Sequence, residues 1–318
     1  MKIVVGDIGG THCRFAIAEL RDGQRPAIGP MRRYRSRELP DLAAAWAKFA
    51  AEEGGALPRN AALGVAAPIE GETLRFMNND WRISRHSIPH DLGLDRLTLL
   101  NDFGAVSHAV SILEPDELIP LCGPERLPEH GIVTVMGPGT GLGVAILDRR
   151  AGDIRVIETE ASHIGFSPLD PEEEDLADDL VARYGRASVE RICSGPALID
   201  IHRFLGGGEW DAMKAGDLWG LAISGESRIA ARALDIFVRA FASAAGDIAL
   251  AQGAMGVAIT GGLANRIASQ LRGPAFEARF TAKGRYRDRM HRTAVVLAKT
   301  AEPGLLGAAV AFQREHPV

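Results

Sequence analysis

Val4-Val5-Gly6-Asp7-Ile8-Gly9-Gly10-Thr11, followed by Arg14-Phe15-Ala16-Ile17-Ala18, is the stretch from which the fold is read. Two short β-branched runs flank a glycine and threonine turn, the pattern of strand, tight turn and strand. The same grammar returns at Val133-Thr134-Val135-Met136-Gly137-Pro138-Gly139-Thr140-Gly141-Leu142-Gly143, followed by Val144-Ala145-Ile146-Leu147. Glycine tolerates positive φ and lets backbone N–H groups come close to an anion. The threonines add hydroxyl donors. Two such turns at corresponding points of two half-chains imply one polyphosphate held from both sides.

The rest of the composition narrows the class. A chain of 318 residues that is 46% hydrophobic can fill two packed domains. A formal charge of −5 gives no broad basic footprint, so neither nucleic acid nor an anionic membrane is an expected partner. Positive charge gathers at Arg32-Arg33 and from Lys283 to Arg289, and both clusters read as solvated faces. Met1-Lys2 runs directly into the first strand, so no leader is expected, and no run approaches the roughly 18 apolar residues of a membrane span. Cys13, Cys122 and Cys193 lack metal-ligand spacing and read as reduced thiols of a cytoplasmic protein.

Between the two turns the chain alternates strands and helices. Leu42, Trp46, Phe49 and Ala50 fall at helical spacing before Gly54-Gly55, and Ala61 to Ala67 reads as a strand. Leu97 to Leu100 is a short strand leading into Asn101-Asp102, after which a helical pattern extends from Phe103 to Pro115. In the second half an acidic helix start is expected at Pro171–Asp175, a long helix over about Ser227 to Leu250, and a strand Val257–Thr260 feeding Gly261-Gly262 and a helix. His202–Trp219, with Gly206-Gly207-Gly208, reads as an irregular insertion. The expected class is α/β, with a duplicated mixed-sheet unit in each half.

Several nucleotide and hydrolase patterns are absent. There is no G-x-x-x-x-G-K-[ST], no G-x-S-x-G and no H-E-x-x-H. Gly137-x-Gly139-x-Gly141-x-Gly143 misses the dinucleotide spacing and leads into a strand where that fingerprint needs a helix.

The two turns together with the later strand, Gly261-Gly262 and helix resemble the actin-like ATPase fold of sugar kinases, actin and heat-shock chaperones. Within that fold the chain is similar to the bacterial glucokinase family. The resemblance rests on Gly6–Thr11, Asn101-Asp102-Phe103, Gly139–Gly143, Glu160-Ala161-Ser162-His163, Glu190–Pro196 and Pro303-Gly304-Leu305-Leu306-Gly307, spread in order over nearly the whole chain. It implies a two-domain, hexokinase-type architecture. The smaller domain would comprise residues 1–104 plus 301–318 and the larger 105–300, with sugar bound between them.

By themselves, Asn101-Asp102 before a helical run read as N-cap chemistry. The resemblance makes Asp102 the general base that takes a proton from the attacking hydroxyl, and Asn101 a sugar ligand. It implies further sugar contacts from Glu160, His163 and Glu190, and from Asn78, which otherwise reads as a turn-forming residue. Glu190 alone would be a surface acid between core-facing Val189 and Ile192. Asp7 sits where a carboxylate would repel phosphate unless Mg²⁺ intervenes; it is assigned to the metal through water, with an Asx-turn as the alternative. Gly9, Gly10, Thr11, Gly139, Thr140 and Gly141 would hold ATP's phosphates. Gly261 and Gly262 would pack its adenosine, or else serve close helix–strand packing. The family pattern is broken at His12, where many members carry Asn, and at Ala161-Ser162, where many carry Gly-Gly.

The expected reaction is ATP-dependent phosphorylation of glucose at its 6-hydroxyl, in a homodimer. A kinase for another hexose or an N-acetylhexosamine is one alternative, and a non-enzymatic actin-like ATPase switch is the other. The cysteine-rich zinc motif common in related sugar kinases and repressors is missing.

Overall fold

The computed structural model describes residues 1–67, 69, 71–76, 81–150, 153–208, 210 and 215–317. In chain order its strands and α-helices are β1 (Lys2–Ile8), β2 (His12–Glu19), β3 (Ala27–Ile28), β4 (Arg32–Arg35), α1 (Leu42–Glu52), β5 (Asn60–Val65), β6 (Thr73–Arg75), β7 (Arg82–Ser84), α2 (Ile88–Asp91), β8 (Arg96–Asn101) and α3 (Asp102–Val110). Then come β9 (Leu118–Cys122), β10 (Ile132–Pro138), β11 (Leu142–Asp148), β12 (Arg155–Thr159), α4 (Pro171–Tyr184), α5 (Val189–Cys193), α6 (Ala197–Phe204), α7 (Ala215–Ser224) and α8 (Arg228–Gln252). The chain ends with β13 (Gly256–Ile259), α9 (Gly262–Arg266), α10 (Ala268–Leu271), α11 (Pro274–Thr281), α12 (Arg287–His291), β14 (Ala294–Ala298) and α13 (Pro303–Glu315).

Two compact units result, Met1–Leu113 with Thr300–Val318, and Glu114–Lys299. The first break lies at 113/114, not at the expected 104/105, because α3 packs onto α13: a Cβ on Gly307 would lie 1.6 Å from the Ala105 carbonyl oxygen. Only glycine permits that approach of two helix backbones. The helix after Asn101 also stops at Val110, short of the expected Pro115.

In the first unit the sheet runs β3-β2-β1-β5-β8, with β4 also paired to β2. β1, β5 and β8 are parallel, so their C-terminal ends lie along one edge. Alternation along β1 divides two cores, as a period of two requires. Val4 and Ile8 pack with Phe15, Leu63, Trp46 and Phe49 on the α1 side. Ile3 and Val5 pack with Ala16, Ala18, Leu305, Ala308 and Phe312 on the α13 side. Asp7 shares the parity of Ile3 and Val5, and a Cβ on Gly304 at the start of α13 would lie 3.3 Å from its carboxyl carbon.

The second unit repeats the plan in the order β12-β11-β10-β13-β14-β9, with β10, β13 and β14 parallel. Its core is built around α8, whose Phe237 and Phe241 are fully buried. Ser227 caps α8 by accepting from Ala230 N–H, and Gly253 ends it at φ 68°. The acidic start of α4 is as expected: Asp170 accepts from Glu173 N–H, and Glu172, Glu173 and Glu174 occupy the first turn.

One charge reading needs correction, at Lys283; Arg32 and Arg33 are exposed, as expected. Lys283 is not solvated: its ammonium donates to Ser243 carbonyl oxygen at 2.9 Å and pairs with Asp247 at 2.9 Å, tying the end of α11 to α8. Arg32 pairs with Glu53 at 3.1 Å, while Arg33 lies against His12.

Candidate functional site

Both glycine turns form as antiparallel connections. The first pairing runs to Ile8 opposite Cys13, and Gly9 N–H closes the turn on His12 carbonyl oxygen at 2.9 Å. The second runs to Pro138 opposite Leu142, and Gly139 N–H donates to Gly141 carbonyl oxygen at 2.8 Å. Positive φ is not what these positions need: Gly9, Gly139 and Gly141 all lie outside that region. Close approach is. A Cβ on Gly9 would lie 3.1 Å from the His12 carbonyl oxygen, and one on Gly141 would lie 2.5 Å from Glu190 Oε2. Thr11, Gly139 and Thr140 are exposed, so their donors can reach a ligand.

Asp7 is not in an Asx-turn. It stands in β1 opposite Arg14, whose guanidinium pairs with its Oδ2 at 2.5 Å. Arg14 also lies 3.6 Å from Glu302, which precedes α13 with φ 45°, the one non-glycine positive φ among the described residues. Such a backbone costs of order 1 kcal/mol or more and persists where surroundings over-determine it. Sequence reasoning missed Arg14 and Glu302, since the contact joins residues almost the whole chain apart.

Among the described residues no group of three or more His, Cys, Asp or Glu could cage a metal. A single carboxylate already shared with Arg14 fits a hydrated Mg²⁺ that takes its remaining ligands from water and phosphate. It does not fit an all-protein cage.

At the end of β8, beside the ends of β5 and β1, the sequence signal divides between two residues. Asn101 is the N-cap, its Oδ1 accepting from Phe103 N–H at 2.8 Å, and its amide lies 3.5 Å from Ala67 carbonyl oxygen. Asp102 is the first helical residue, and its Oδ1 also lies 2.8 Å from Phe103 N. The positive end of α3 favours a carboxylate there.

In the second unit, residues far apart in sequence converge. Glu160 follows β12, whose Thr159 pairs with Val144 just after the second turn. Ala161–His163 is a single 3-10 turn, with His163 Nε2 at 3.6 Å from Glu160 Oε2. Val189 N–H donates to Ile164 carbonyl oxygen at 3.0 Å, which brings α5 and Glu190 alongside. Ser162 of the unusual Ala161-Ser162 pair is buried. Glu190 is half-buried, and its Oε2 accepts from Leu142 N–H at 3.1 Å. It therefore braces the second turn, a role absent from the sequence reading. Gly195 adds to that brace: its N–H donates to Gly139 carbonyl oxygen at 2.7 Å.

Gly261 has φ 99° and lies 3.4 Å from Pro138 carbonyl oxygen when a Cβ is built on it; Gly262 opens α9. Thr260 N–H donates to Met136 carbonyl oxygen at 2.9 Å, so these glycines stand beside the second turn. Asn78 lies outside the described residues. The three thiols are free and buried, and burial pushes Cys13 up to about 11 and Cys122 up to about 12, so none is poised as a nucleophile. No helix among the described residues is long and apolar enough to cross a membrane.

Comparison with known proteins agrees with this arrangement. Residues 4–315 match the family model described as Glucokinase. The chain is 43% identical to the glucokinase of Zymomonas mobilis over 99% of each chain. It is 37% identical to that of a Caulobacter species, over 97% of this chain and 94% of the relative. Its fold is similar to a crystal structure of glucokinase from an Antarctic psychrotroph, with TM-score 0.84, 29% identity and coverage of 98% and 99% of the two chains. A Balamuthia mandrillaris glucokinase solved with glucose shares the fold, with TM-score 0.80 at 20% identity over 98% of this chain and 93% of the other. With two glycine turns, a carboxylate at the start of α3 and an acid–imidazole cluster beside the second turn, the chain belongs to the glucokinase family and is a hexose kinase.

Proposed function

We propose that Asp102 is the general base with which this glucose-phosphorylating enzyme accepts the 6-hydroxyl proton as that oxygen attacks the terminal phosphorus of ATP. The observation that carries this reading is the shared edge of β1, β5 and β8, where the first glycine turn follows β1 and Asn101-Asp102 follow β8, the two parallel strands on either side of β5. A carboxylate fixed at a helix start beside a phosphate-holding turn suits transfer to an alcohol, which is mostly positioning and charge stabilisation. Asn101 orients the sugar next to it.

Glu160, His163 and Glu190 read the sugar's hydroxyl groups. A carboxylate accepts from two hydroxyls at once, and an imidazole offers a donor on one edge. Gly9, Gly10 and Thr11, with Gly139, Thr140 and Gly141, hold the phosphates; Gly261 and Gly262 leave room for the nucleoside. Asp7 would hold a hydrated Mg²⁺, which when bound neutralises charge on the transferring phosphoryl group. Family membership also supports a cytoplasmic homodimer, tested by the particle mass in sedimentation equilibrium.

The decisive experiment is ADP release from MgATP with glucose, mannose, fructose, N-acetylglucosamine or no sugar, repeated for Asp102→Ala. Strong dependence on glucose is expected, with turnover reduced about 10²–10⁴-fold in the variant. A variant of near-normal rate would remove Asp102 from the role. Equal turnover without sugar would sink the kinase reading in favour of an ATPase switch.

A further inference from the structure

The first glycine turn is held from behind by a corner that the motif does not contain. Ser36 is fully buried; its Oγ donates to Gly9 carbonyl oxygen at 2.8 Å and its N–H donates to Thr11 carbonyl oxygen at 3.0 Å. Both ends of the turn are thereby tied to the segment Arg33-Tyr34-Arg35-Ser36-Arg37. β2 and β4 pair with His12 opposite Arg35 and Arg14 opposite Arg33. By strand alternation His12, Arg14, Arg33 and Arg35 share one face, while Cys13 and Tyr34 between them turn into the core.

That face carries more cations than acids can answer. Asp7 and Glu302 are both taken by Arg14, and Arg35 has Glu38 at 3.4 Å. Among the described residues Arg33 and Arg37 have no carboxylate partner. Arg33 lies instead against His12, its Nη2 at 3.3 Å from Nδ1 and 3.2 Å from Nε2. A guanidinium against an imidazole is tolerated only while the ring stays neutral; burial and then Arg33, Arg14, Arg35 and Arg37 hold His12 below its usual value. Buried Ser36 pins the end of this exposed basic strand to the turn that the proposed function assigns to phosphate.

We propose that His12, Arg33 and Arg37 form an anion subsite on the outer side of the first glycine turn, made for a phosphoryl group. The chemistry is that of Arg on phosphate oxygens, bidentate and charge-assisted, with the imidazole adding one donor. The site takes the phosphate tail of the donor nucleotide, extending the cradle of Gly9 to Thr11 by side-chain cations. It rests on the reading of that turn as a phosphate holder. Free phosphate esters offer the same chemistry, and the product of the reaction is one.

The test is calorimetric titration of wild type and of the double variant Arg33→Gln/Arg37→Gln with inorganic tripolyphosphate, ATP and glucose 6-phosphate at two salt concentrations. Tripolyphosphate is expected to bind wild type in a salt-dependent way, and the double variant is expected to lose about tenfold or more in tripolyphosphate and ATP affinity. Its KM for ATP should rise while kcat at saturating ATP and KM for glucose stay in place, a split that mere loss of fold would not give. Loss confined to glucose 6-phosphate would support the subsite with a free ester as its ligand. Unchanged affinity for all three anions, or no tripolyphosphate binding by wild type, overturns the proposal. The titrations involve no sugar turnover, so they stand apart from the test of the kinase reading. Arg37→Gln alone, outside the strand, repeats the measurement if the double variant is unstable.

Discussion

The two glycine turns have one backbone plan and opposite surroundings. The first is backed by cations: Arg14 on Asp7, with Arg33, Arg35 and Arg37 around the Ser36 corner. The second is backed by main chain and a carboxylate: Gly195 N–H on Gly139, and Glu190 on Leu142 N–H. Duplicated strand grammar thus carries different electrostatics. On the proposed reading the first turn bears phosphate charge on side chains. The second, on that reading, has its own N–H groups and the Thr140 hydroxyl, and one of those N–H groups, that of Leu142, is already given to Glu190. Glu190 braces the turn while its neighbour Val189 donates to Ile164 carbonyl oxygen, so α5 links the turn to the segment of Glu160 and His163.

Breaking that link should have the largest effect. Glu190→Ala removes the carboxylate proposed to read the sugar and frees Leu142 N–H, and on that reading kcat/KM for glucose should fall roughly a hundredfold. Because the turn loses its brace, KM for ATP should rise as well. Glu190→Gln keeps an oxygen for Leu142 N–H and should recover the ATP value better than the glucose value. Steady-state kinetics with each substrate varied decides this; an ATP constant untouched by Glu190→Ala would mean the brace carries nothing to the nucleotide.

How much of this was legible follows from range. The turns, α4, α8 and the run of strands are local patterns of branched residues, caps and glycines, and they form close to where spacing puts them. Asn101 and Asp102 are equally local, which is why the cap was readable there, whereas the base proposed for Asp102 came from the family resemblance and not from spacing. The brace from Glu190 and the pairing of Arg14 with Glu302 are not local. Nothing in Glu190-Arg191-Ile192 says that Leu142, many residues away, will offer an N–H. Gly141 is glycine for a reason that only the fold shows: a Cβ there would lie 2.5 Å from Glu190 Oε2. Likewise Gly307 is explained by the α3–α13 contact that moves the unit boundary.

The units should also part company in acid. Arg314 donates to His108 Nδ1 at 3.0 Å across α13 and α3, which requires a neutral ring, and burial with Arg314 lowers His108 to about 4. Between pH 6.5 and about 4 the unfolded chain binds a proton there and the native chain does not, so stability falls as pH falls. Below that window both states are protonated and the loss saturates at roughly 3 kcal/mol. Hydrogen exchange at pH 5 should show α3 and α13 opening before α8, and His108→Gln should flatten the dependence. Equal acid sensitivity of α8 and α13 in wild type would deny His108 that part.

The smallest effect sharpens the contrast most directly. Ser36→Ala removes one hydroxyl from a fully buried position and leaves Gly9 carbonyl oxygen without that donor, while Ser36 N–H can still reach Thr11. The expected cost is about 1 kcal/mol in denaturant midpoint, typical of one buried hydrogen bond. Its functional consequence should fall on one turn alone. The arginine corner loosens, so KM for ATP should rise a few-fold, roughly what a loss of about 1 kcal/mol gives, while glucose affinity, proposed to be read through the second unit's acids, should stay put. If Ser36→Ala and Glu190→Gln moved the two substrate constants in the same proportion, the turns would be working as one grip. The division between a cationic turn and a carboxylate-braced one would then describe their surroundings without describing their work.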